Sequence, residues 1–100
     1  MSLPVILRPE AQDDLLLARD WYEQQRPGMG AAFTDAVDEL LARIQAMPGL
    51  YAAAFKGVRR GKVRRFPYVV YYRALTDRID VIGCASGTWV ESISRFRSPQ

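Results

Sequence analysis

The fold of this chain is decided by residues 65–73, which read Arg-Phe-Pro-Tyr-Val-Val-Tyr-Tyr-Arg. Aromatic and β-branched residues dominate the stretch, and both types favour β-strands. Successive side chains of a strand point to opposite faces of the sheet. One face therefore carries Phe66, Tyr68, Val70 and Tyr72, and the other carries Arg65, Val69, Tyr71 and Arg73. The pattern predicts a strand with one apolar face against a helical layer and one face of mixed character.

Three further strands are predicted from similar runs. Residues 58–66 and 78–84 flank the central strand at 68–75, with a turn at Thr76 and Asp77, so the three form a β-meander. The apolar run at residues 5–7 predicts a short buried strand at the start of the chain. Residues 50–57 fit no regular pattern, and we expect a loop there.

Two amphipathic helices are predicted between the first strand and the meander. Apolar residues recur at helical spacing from Pro9 to about Gln25, with Trp21 and Tyr22 expected at the helix–sheet interface. A second apolar stripe runs from Phe33 to Met47, where proline and glycine follow. The short break between them implies a helical hairpin. The predicted order β-α-α-β-β-β is an α+β fold with the hairpin packed on a small, mostly antiparallel sheet.

Length and composition indicate a single soluble domain. One hundred residues leave room for one core, so we expect a domain over 1–100 with its ordered part at about 4–90. The hydrophobic fraction is 49% and the charged fraction 25%, as in ordinary globular proteins. No apolar run approaches the roughly 20 residues of a membrane span, and the first residues lack a secretory leader. We therefore expect a cytoplasmic protein that does not bind membranes.

Residue counts exclude several kinds of site. The chain has one cysteine, Cys84, and no histidine. An internal disulfide is impossible, and the usual zinc and haem ligand sets cannot form, so we expect no metal and no cofactor. Catalysis by Ser-His-Asp or Cys-His groups is excluded as well. We interpret Cys84 as a buried small apolar residue.

Charge is distributed unevenly along the chain. Residues 1–50 carry four arginines against eight acids, a net charge of −4, and residues 51–100 carry ten basic residues against three acids, a net charge of +7. Six basic residues lie close together: Lys56, Arg59, Arg60, Lys62, Arg64 and Arg65. Such a field attracts polyanions or acidic protein segments, and salt weakens it. A plainer interpretation is a solvated strand edge, which exposed charges protect from pairing with other strands. The excess of arginine over lysine favours binding, because guanidinium groups grip phosphate and carboxylate in bidentate fashion.

The predicted order of elements and the stretch at residues 65–73 resemble those of the RelE/ParE superfamily. Its members are the toxins of bacterial toxin–antitoxin modules, also called plasmid stabilisation proteins. The resemblance covers about residues 4–90 and begins with the order of elements and the Ala11, Leu15, Trp21-Tyr22 pattern of the first helix. Its most specific parts are Gly-Val-Arg-Arg at 57–60 and the Arg-x-Phe-Pro-Tyr-x-x-x-Tyr arrangement of residues 64–72.

The resemblance implies one of two activities. RelE-like members cut messenger RNA on the ribosome, whereas ParE-like members bind DNA gyrase and trap its cleaved DNA complex. RNA-cutting members typically keep a Tyr or His after the last strand, and residues 85–95 contain neither. This departure favours ParE-like inhibition by binding, and we assign no catalytic residue. For the RNase alternative the candidates are Lys56, Lys62, Arg65 and Arg73. A non-catalytic nucleic-acid-binding module is a second alternative.

The resemblance also implies partners. They are a cognate acidic antitoxin that wraps a disordered acidic and apolar segment around the domain, and DNA gyrase, with the ribosome and messenger RNA as the alternative. The candidate residues for contact with target or antitoxin are Arg59, Arg60, Lys62, Arg64, Arg65, Tyr71, Arg73 and Trp89. Trp89, in a predicted short helix at 88–95, is either a lid over the sheet or an exposed anchor for a partner. The sequence predicts no particular oligomeric state.

Overall fold

A computed structural model describes residues 3–51 and 53–86. The elements are β1 (Val5–Leu7), α1 (Pro9–Gln25), α2 (Met29–Ala46), β2 (Ala53–Phe55), β3 (Val58–Lys62), β4 (Tyr68–Ala74) and β5 (Ile79–Ser86). The predicted α+β fold and its order of elements are confirmed, with β2 as an addition. The predicted helix at 88–95 lies outside the described residues.

The expectation of a loop over residues 50–57 is wrong for its second half. Residues 53–55 form β2, which pairs antiparallel with the start of β3. Lys56 and Gly57 make the tight turn between the two strands, with φ angles of 48° and 78°. Two of the three residues of β2 are alanines, which are weak strand formers, so its pairing depends on this turn and on the neighbouring strand.

The five strands form one sheet in the order β1-β5-β4-β3-β2. β1 pairs parallel with β5, and the other neighbours are antiparallel. The sheet is therefore mostly antiparallel, as predicted. The backbone on either side of β1 is also tied to β5, since Ile79 N–H donates to the Pro4 carbonyl (2.9 Å) and Arg8 N–H to the Val81 carbonyl (3.1 Å). β4 lies at the centre of the sheet.

β4 is buried on both faces. Residues 68–72 are all buried, and the predicted alternation holds over them. The predicted strand over 58–66 is too long, because Arg65 and Phe66 lie in the turn between β3 and β4. Tyr68, Val70 and Tyr72 point to the face that carries the helices, which we call the inner face, and belong to the main core. Val69 and Tyr71 point to the opposite, outer face and form a separate apolar cluster with Val58. The register with β5 shifts between residues 71 and 72, since Tyr71 pairs with Gly83 and Tyr72 with Val81.

The helical hairpin packs its apolar stripes on the inner face. α2 buries Phe33, Val37, Leu40 and Ile44, as its spacing predicted. Phe66 packs edge-on against both Tyr22 and Phe33, with ring centroids 4.9 and 5.3 Å away, and those two rings stack on each other. Edge-to-face contacts of this kind are favourable beyond the area they bury.

Trp21 departs from the prediction. It was expected with Tyr22 at the helix–sheet interface, but its side chain is 56% exposed whereas Tyr22 is 8% exposed. The two residues are neighbours on a helix, where successive side chains point about 100° apart, so only one of them faces the sheet. Trp21 instead packs edge-on against the Tyr22 ring, with centroids 5.0 Å apart.

Other expectations about the core are tested directly. Cys84 is 1% exposed, which confirms its prediction as a buried apolar residue.

Neither α1 nor α2, the helices within the described residues, has the length and apolar character needed to cross a membrane.

Tyr72 offers a test of how the sheet is tied to the hairpin. Its hydroxyl donates to the carbonyl of Pro48, just after α2, at 2.8 Å. Tyr72→Phe should lower the free energy of unfolding at neutral pH by about 1–2 kcal/mol, because that carbonyl loses its donor. Urea unfolding of both proteins measures the difference.

The same variant should change the response to alkaline pH. Burial raises the pKa of the Tyr72 phenol above its ordinary value of 10.0. Because the unfolded chain ionises first, the native state loses stability as pH rises from about 10 through the folded pKa. Tyr72→Phe removes the ionisable phenol. The free energy of unfolding of the variant should therefore fall less steeply above pH 10 than that of the unchanged protein. Equal slopes would contradict the assignment.

Candidate target-binding surface

The six clustered basic residues do not lie on one surface. Arg60 and Lys62 are directly opposite Tyr71 and Val69 in the β3–β4 register, so their side chains lie on the outer face, where both are exposed. Arg59 is opposite Tyr72 and therefore on the inner face. Successive residues of β3 point to opposite faces of the sheet, so its basic residues are divided between the inner and the outer face.

Arg59 connects β3 to the segment after α2. Its side chain is half-buried, and Nη1 donates to the carbonyl oxygen of Tyr51. The Tyr51 hydroxyl in turn accepts from Arg43 Nε at 3.3 Å. Both contacts hold the connection between α2 and β2, so Arg59 has a structural role here. Its predicted part in binding a partner stays a prediction.

Lys62 is held at the end of β3 by the following turn. Its Nζ donates to the carbonyl oxygens of Val63 (3.3 Å) and Phe66 (3.4 Å). These contacts position the ammonium group as a cation and hydrogen-bond donor at the edge of the outer face.

Arg73 adds a third cation to the outer face. It lies on β4 directly opposite Asp80 of β5, half-buried, and its Nε has no hydrogen-bond partner among the described residues. Asp80 is 6% exposed and is bound by Arg8, through Nη2 at 2.7 Å and Nε at 3.1 Å. The hydrogen bond to Asp80 is the main cause of the raised pKa of Arg8. Among the described residues there, Arg8 already pairs with Asp80, so Arg73 adds an excess of positive charge to this part of the face.

The remaining basic residues lie in turns. Arg64 and Arg65 are exposed in the β3–β4 turn, where Arg65 has a φ of 70°. Arg64 Nη1 is 3.7 Å from a carboxylate oxygen of Glu39 on α2. The hydrogen bond from Arg43 is the main cause of the lowered pKa of Glu39, and the charges of Arg64 and Arg65 act in the same direction. Lys56 is exposed in the β2–β3 turn.

The structure therefore brings together only part of the predicted binding set. Arg60, Lys62 and Arg73 share the outer face, whereas Arg59 and Arg64 are engaged on the helical side. Tyr71 shares the outer face but is 1% exposed, so its ring serves packing in this structure. Trp89 lies outside the described residues.

A second surface feature was not predicted from the sequence. A groove of about 340 Å³ lies between α1 and α2 and reaches Leu7 of β1. It is lined mostly by apolar residues, among them Leu7, Leu15, Leu16, Phe33, Val37 and Leu41, and Arg19 and Asp38 also line it. Leu16 is 48% exposed and belongs to the apolar stripe of α1. This stripe is wider than the surface that the sheet covers, and its width is the feature of the sequence that could have indicated the groove.

Comparison with known proteins identifies the family. The family model for the ParE toxin of the type II toxin–antitoxin system parDE matches residues 5–86. The chain belongs to the ParE toxin family. Toxin ParE2 of Mycobacterium tuberculosis, in strains CDC 1551 / Oshkosh and ATCC 25618 / H37Rv, is 31% identical over 77 residues, which cover 76% of this chain and 73% of the relative.

A solved structure supports the fold. A chain from the chromosomal ParDE TA system of P. aeruginosa matches with a TM-score of 0.75, over 87% of this chain and 98% of that one. The two sequences are 18% identical, so this likeness concerns the fold alone. As a toxin of a type II system, this ParE protein has a cognate antitoxin as its partner.

The opposite orientations of Arg59 and Arg60 predict opposite effects on stability. Arg59→Ala should lower the free energy of unfolding by about 1–2 kcal/mol, because the Tyr51 carbonyl loses a charged donor in a half-buried site. Arg60→Ala, the matched control one residue along the strand, should change it by less than about 0.5 kcal/mol, as is usual for exposed side chains. Urea unfolding measures both, and equal losses would contradict the division of β3 between the two faces.

Proposed function

We propose that this ParE toxin inhibits DNA gyrase by binding it and holding its complex with cleaved DNA. Membership of the ParE family is the observation that carries the proposal, since gyrase binding distinguishes ParE-like from RelE-like toxins. The target surface proposed is the outer face with Arg60, Lys62 and Arg73, extended by Arg65 in the adjacent turn.

The charge of this surface suits a complex that contains DNA. Arg60 and Lys62 lie on the same face of β3. Their Cα atoms are about 7 Å apart, which is twice the rise per residue of a strand. This spacing is similar to the distance between successive phosphates along a nucleic-acid strand. Their exposed cations can meet phosphate groups or acidic side chains, and either contact weakens as salt rises. Binding to gyrase alone, or to its DNA complex, would use the same groups.

The chemistry of the surface favours binding over RNA cleavage. Metal-free cleavage needs a base that takes the proton of the 2′-hydroxyl and an acid that protonates the leaving oxygen. Arginine holds its proton at all physiological pH values and supplies only charge. Lys62 is committed as a donor to two carbonyl oxygens. These residues can stabilise a phosphate and are poorly suited to exchange protons with it.

The antitoxin is proposed to use both surface features. An acidic segment would neutralise the basic residues of the outer face and the β3–β4 turn, and apolar side chains would enter the groove between α1 and α2. A segment that wraps the domain in this way can cover distant sites, because it is ordered only on binding. The antitoxin would then silence the toxin by covering the cations that gyrase needs.

Two assays on one preparation test the proposal. The purified toxin should inhibit gyrase supercoiling and leave ribosome-bound messenger RNA intact. Arg60→Glu should weaken the inhibition at least about tenfold, a change of about 1.4 kcal/mol in binding free energy. Arg26→Glu is the matched control: it reverses the same charge at another exposed site, in the turn after α1, and should leave inhibition unchanged.

Three results would contradict the proposal. Cleaved messenger RNA with active gyrase would assign the RelE-like activity. Strong, salt-dependent binding to bare DNA or RNA without either inhibition would indicate a nucleic-acid-binding module. Equal weakening by Arg60→Glu and Arg26→Glu would show that net charge, and not the outer face, governs the interaction.

A further inference from the structure

Asp80 lies between two arginines on the outer face of the sheet. It belongs to β5, which has β1 on one side and β4 on the other. Arg8 follows β1 directly, and its backbone N–H donates to the Val81 carbonyl at 3.1 Å, so its side chain starts beside Asp80. Arg73 lies directly opposite Asp80 in the β4–β5 register. Directly opposite side chains of an antiparallel pair have Cβ atoms about 5 Å apart, so Arg73 is also within reach of the carboxylate.

Arg8 holds the carboxylate in this structure. The two hydrogen bonds to Asp80 among the described residues come from Arg8 Nε and Nη2, at 3.1 and 2.7 Å, and both reach the same oxygen, Oδ2. The Asp80 side chain is 8% exposed. Arg73 Nε is buried and has no hydrogen-bond partner within the described residues. The Arg73 side chain as a whole is half-buried, so part of it stays accessible.

The charges of these three residues do not balance. One carboxylate neutralises one guanidinium group, so Arg8, Asp80 and Arg73 together keep a net positive charge. As long as Arg8 supplies the donors to Asp80, the surplus charge stays on Arg73, in the part of the outer face assigned to target binding. A buried carboxylate that loses its cation is strongly destabilising. If Arg8 were removed, Asp80 would therefore draw on Arg73, the cation directly across from it.

We propose that Arg8 is a positioning residue for the target-binding surface. By pairing with Asp80, it leaves the guanidinium group of Arg73 available to the anionic groups of the target complex. Without Arg8, Arg73 turns to Asp80 and its charge is lost to the target. The identity of the target rests on the proposed function, whereas the exchange of partners at Asp80 is a property of the folded chain alone.

A double-mutant cycle, measured by urea unfolding, tests the exchange. In the otherwise unchanged protein, Arg73→Met should change the equilibrium constant for unfolding by less than about twofold, because Asp80 keeps Arg8. In the Arg8→Met background, the same substitution should raise that constant at least about tenfold, because Asp80 then loses its second cation as well. Arg60→Met is the matched control: it removes another arginine of the outer face and should have the same effect in both backgrounds.

Two results of this cycle would overturn the proposal. Equal effects of Arg73→Met in both backgrounds would show that Arg73 does not take over Asp80. An Arg8→Met protein that fails to fold, as judged by far-UV circular dichroism, would show the same.

Gyrase inhibition tests the consequence for binding. Arg73→Met should weaken inhibition about tenfold in the otherwise unchanged protein. In the Arg8→Met background its effect should be several-fold smaller, because Asp80 already neutralises Arg73. In the Arg8→Met, Asp80→Asn background the full effect should return, because the carboxylate that captured Arg73 is gone. If Arg8 contributed only its own charge, Arg73→Met would have the same effect in all backgrounds, and that result would overturn the proposal.

The two measurements separate this inference from the proposed function. If none of these proteins inhibits gyrase, the proposed function is wrong, and the urea cycle decides by itself whether Arg8 and Arg73 exchange at Asp80. If inhibition depends on Arg73 equally in every background and the urea cycle shows no coupling, the proposed function stands and the positioning role of Arg8 is overturned.

Discussion

Tyr68 and Tyr72 bind the backbone of the helical hairpin from the same face of one strand. The Tyr68 hydroxyl donates to the Asp14 carbonyl in α1 (3.1 Å), and the Tyr72 hydroxyl donates to the Pro48 carbonyl after α2 (2.8 Å). The ring of Phe33 in α2 also packs edge-on against Tyr68, with centroids 5.1 Å apart. Both helices are thereby placed relative to β4, the centre of the sheet, and the remaining strands take their positions from it.

The alternation of side chains on β3 separates Arg59 and Gly61, which contact the helical side, from the exposed cations to which we assign the proposed target binding. Inward positions carry aromatic rings, Gly61 and the structural Arg59, and a Cβ at Gly61 would lie 3.1 Å from a methyl carbon of Leu40. Outward positions on β3 carry the exposed Arg60 and Lys62. A small domain can therefore display concentrated positive charge without placing it near the core, while the net negative charge of residues 1–50 lies mainly on the helical side. This polarity suits the competition between antitoxin and target that we propose for the cationic groups.

Much of this arrangement could be predicted from the sequence. Apolar residues that alternate along a strand, or recur every three or four residues along a helix, mark the face that is buried. The positions of Tyr72 and Phe33 follow from them. Phe66 is buried as predicted, but it lies in the turn between β3 and β4 and not on a strand. Three kinds of feature could not be predicted. β2 is too short and too rich in alanine to show alternation. The Arg8–Asp80 pair joins residues 72 apart and leaves no local pattern. The exposure of Trp21 depends on how the hairpin sits on the sheet, which spacing alone does not determine.

The central claim is that inward positions of β3 serve folding and outward positions serve the toxin's target. A saturation scan of residues 59–62, expressed without antitoxin, tests it when soluble abundance and growth inhibition are measured for every variant. Variants of Arg59 and Gly61 should lose abundance and toxicity together, whereas polar and acidic variants of Arg60 and Lys62 should lose toxicity at unchanged abundance. Toxicity that follows abundance equally at all four positions would contradict the account.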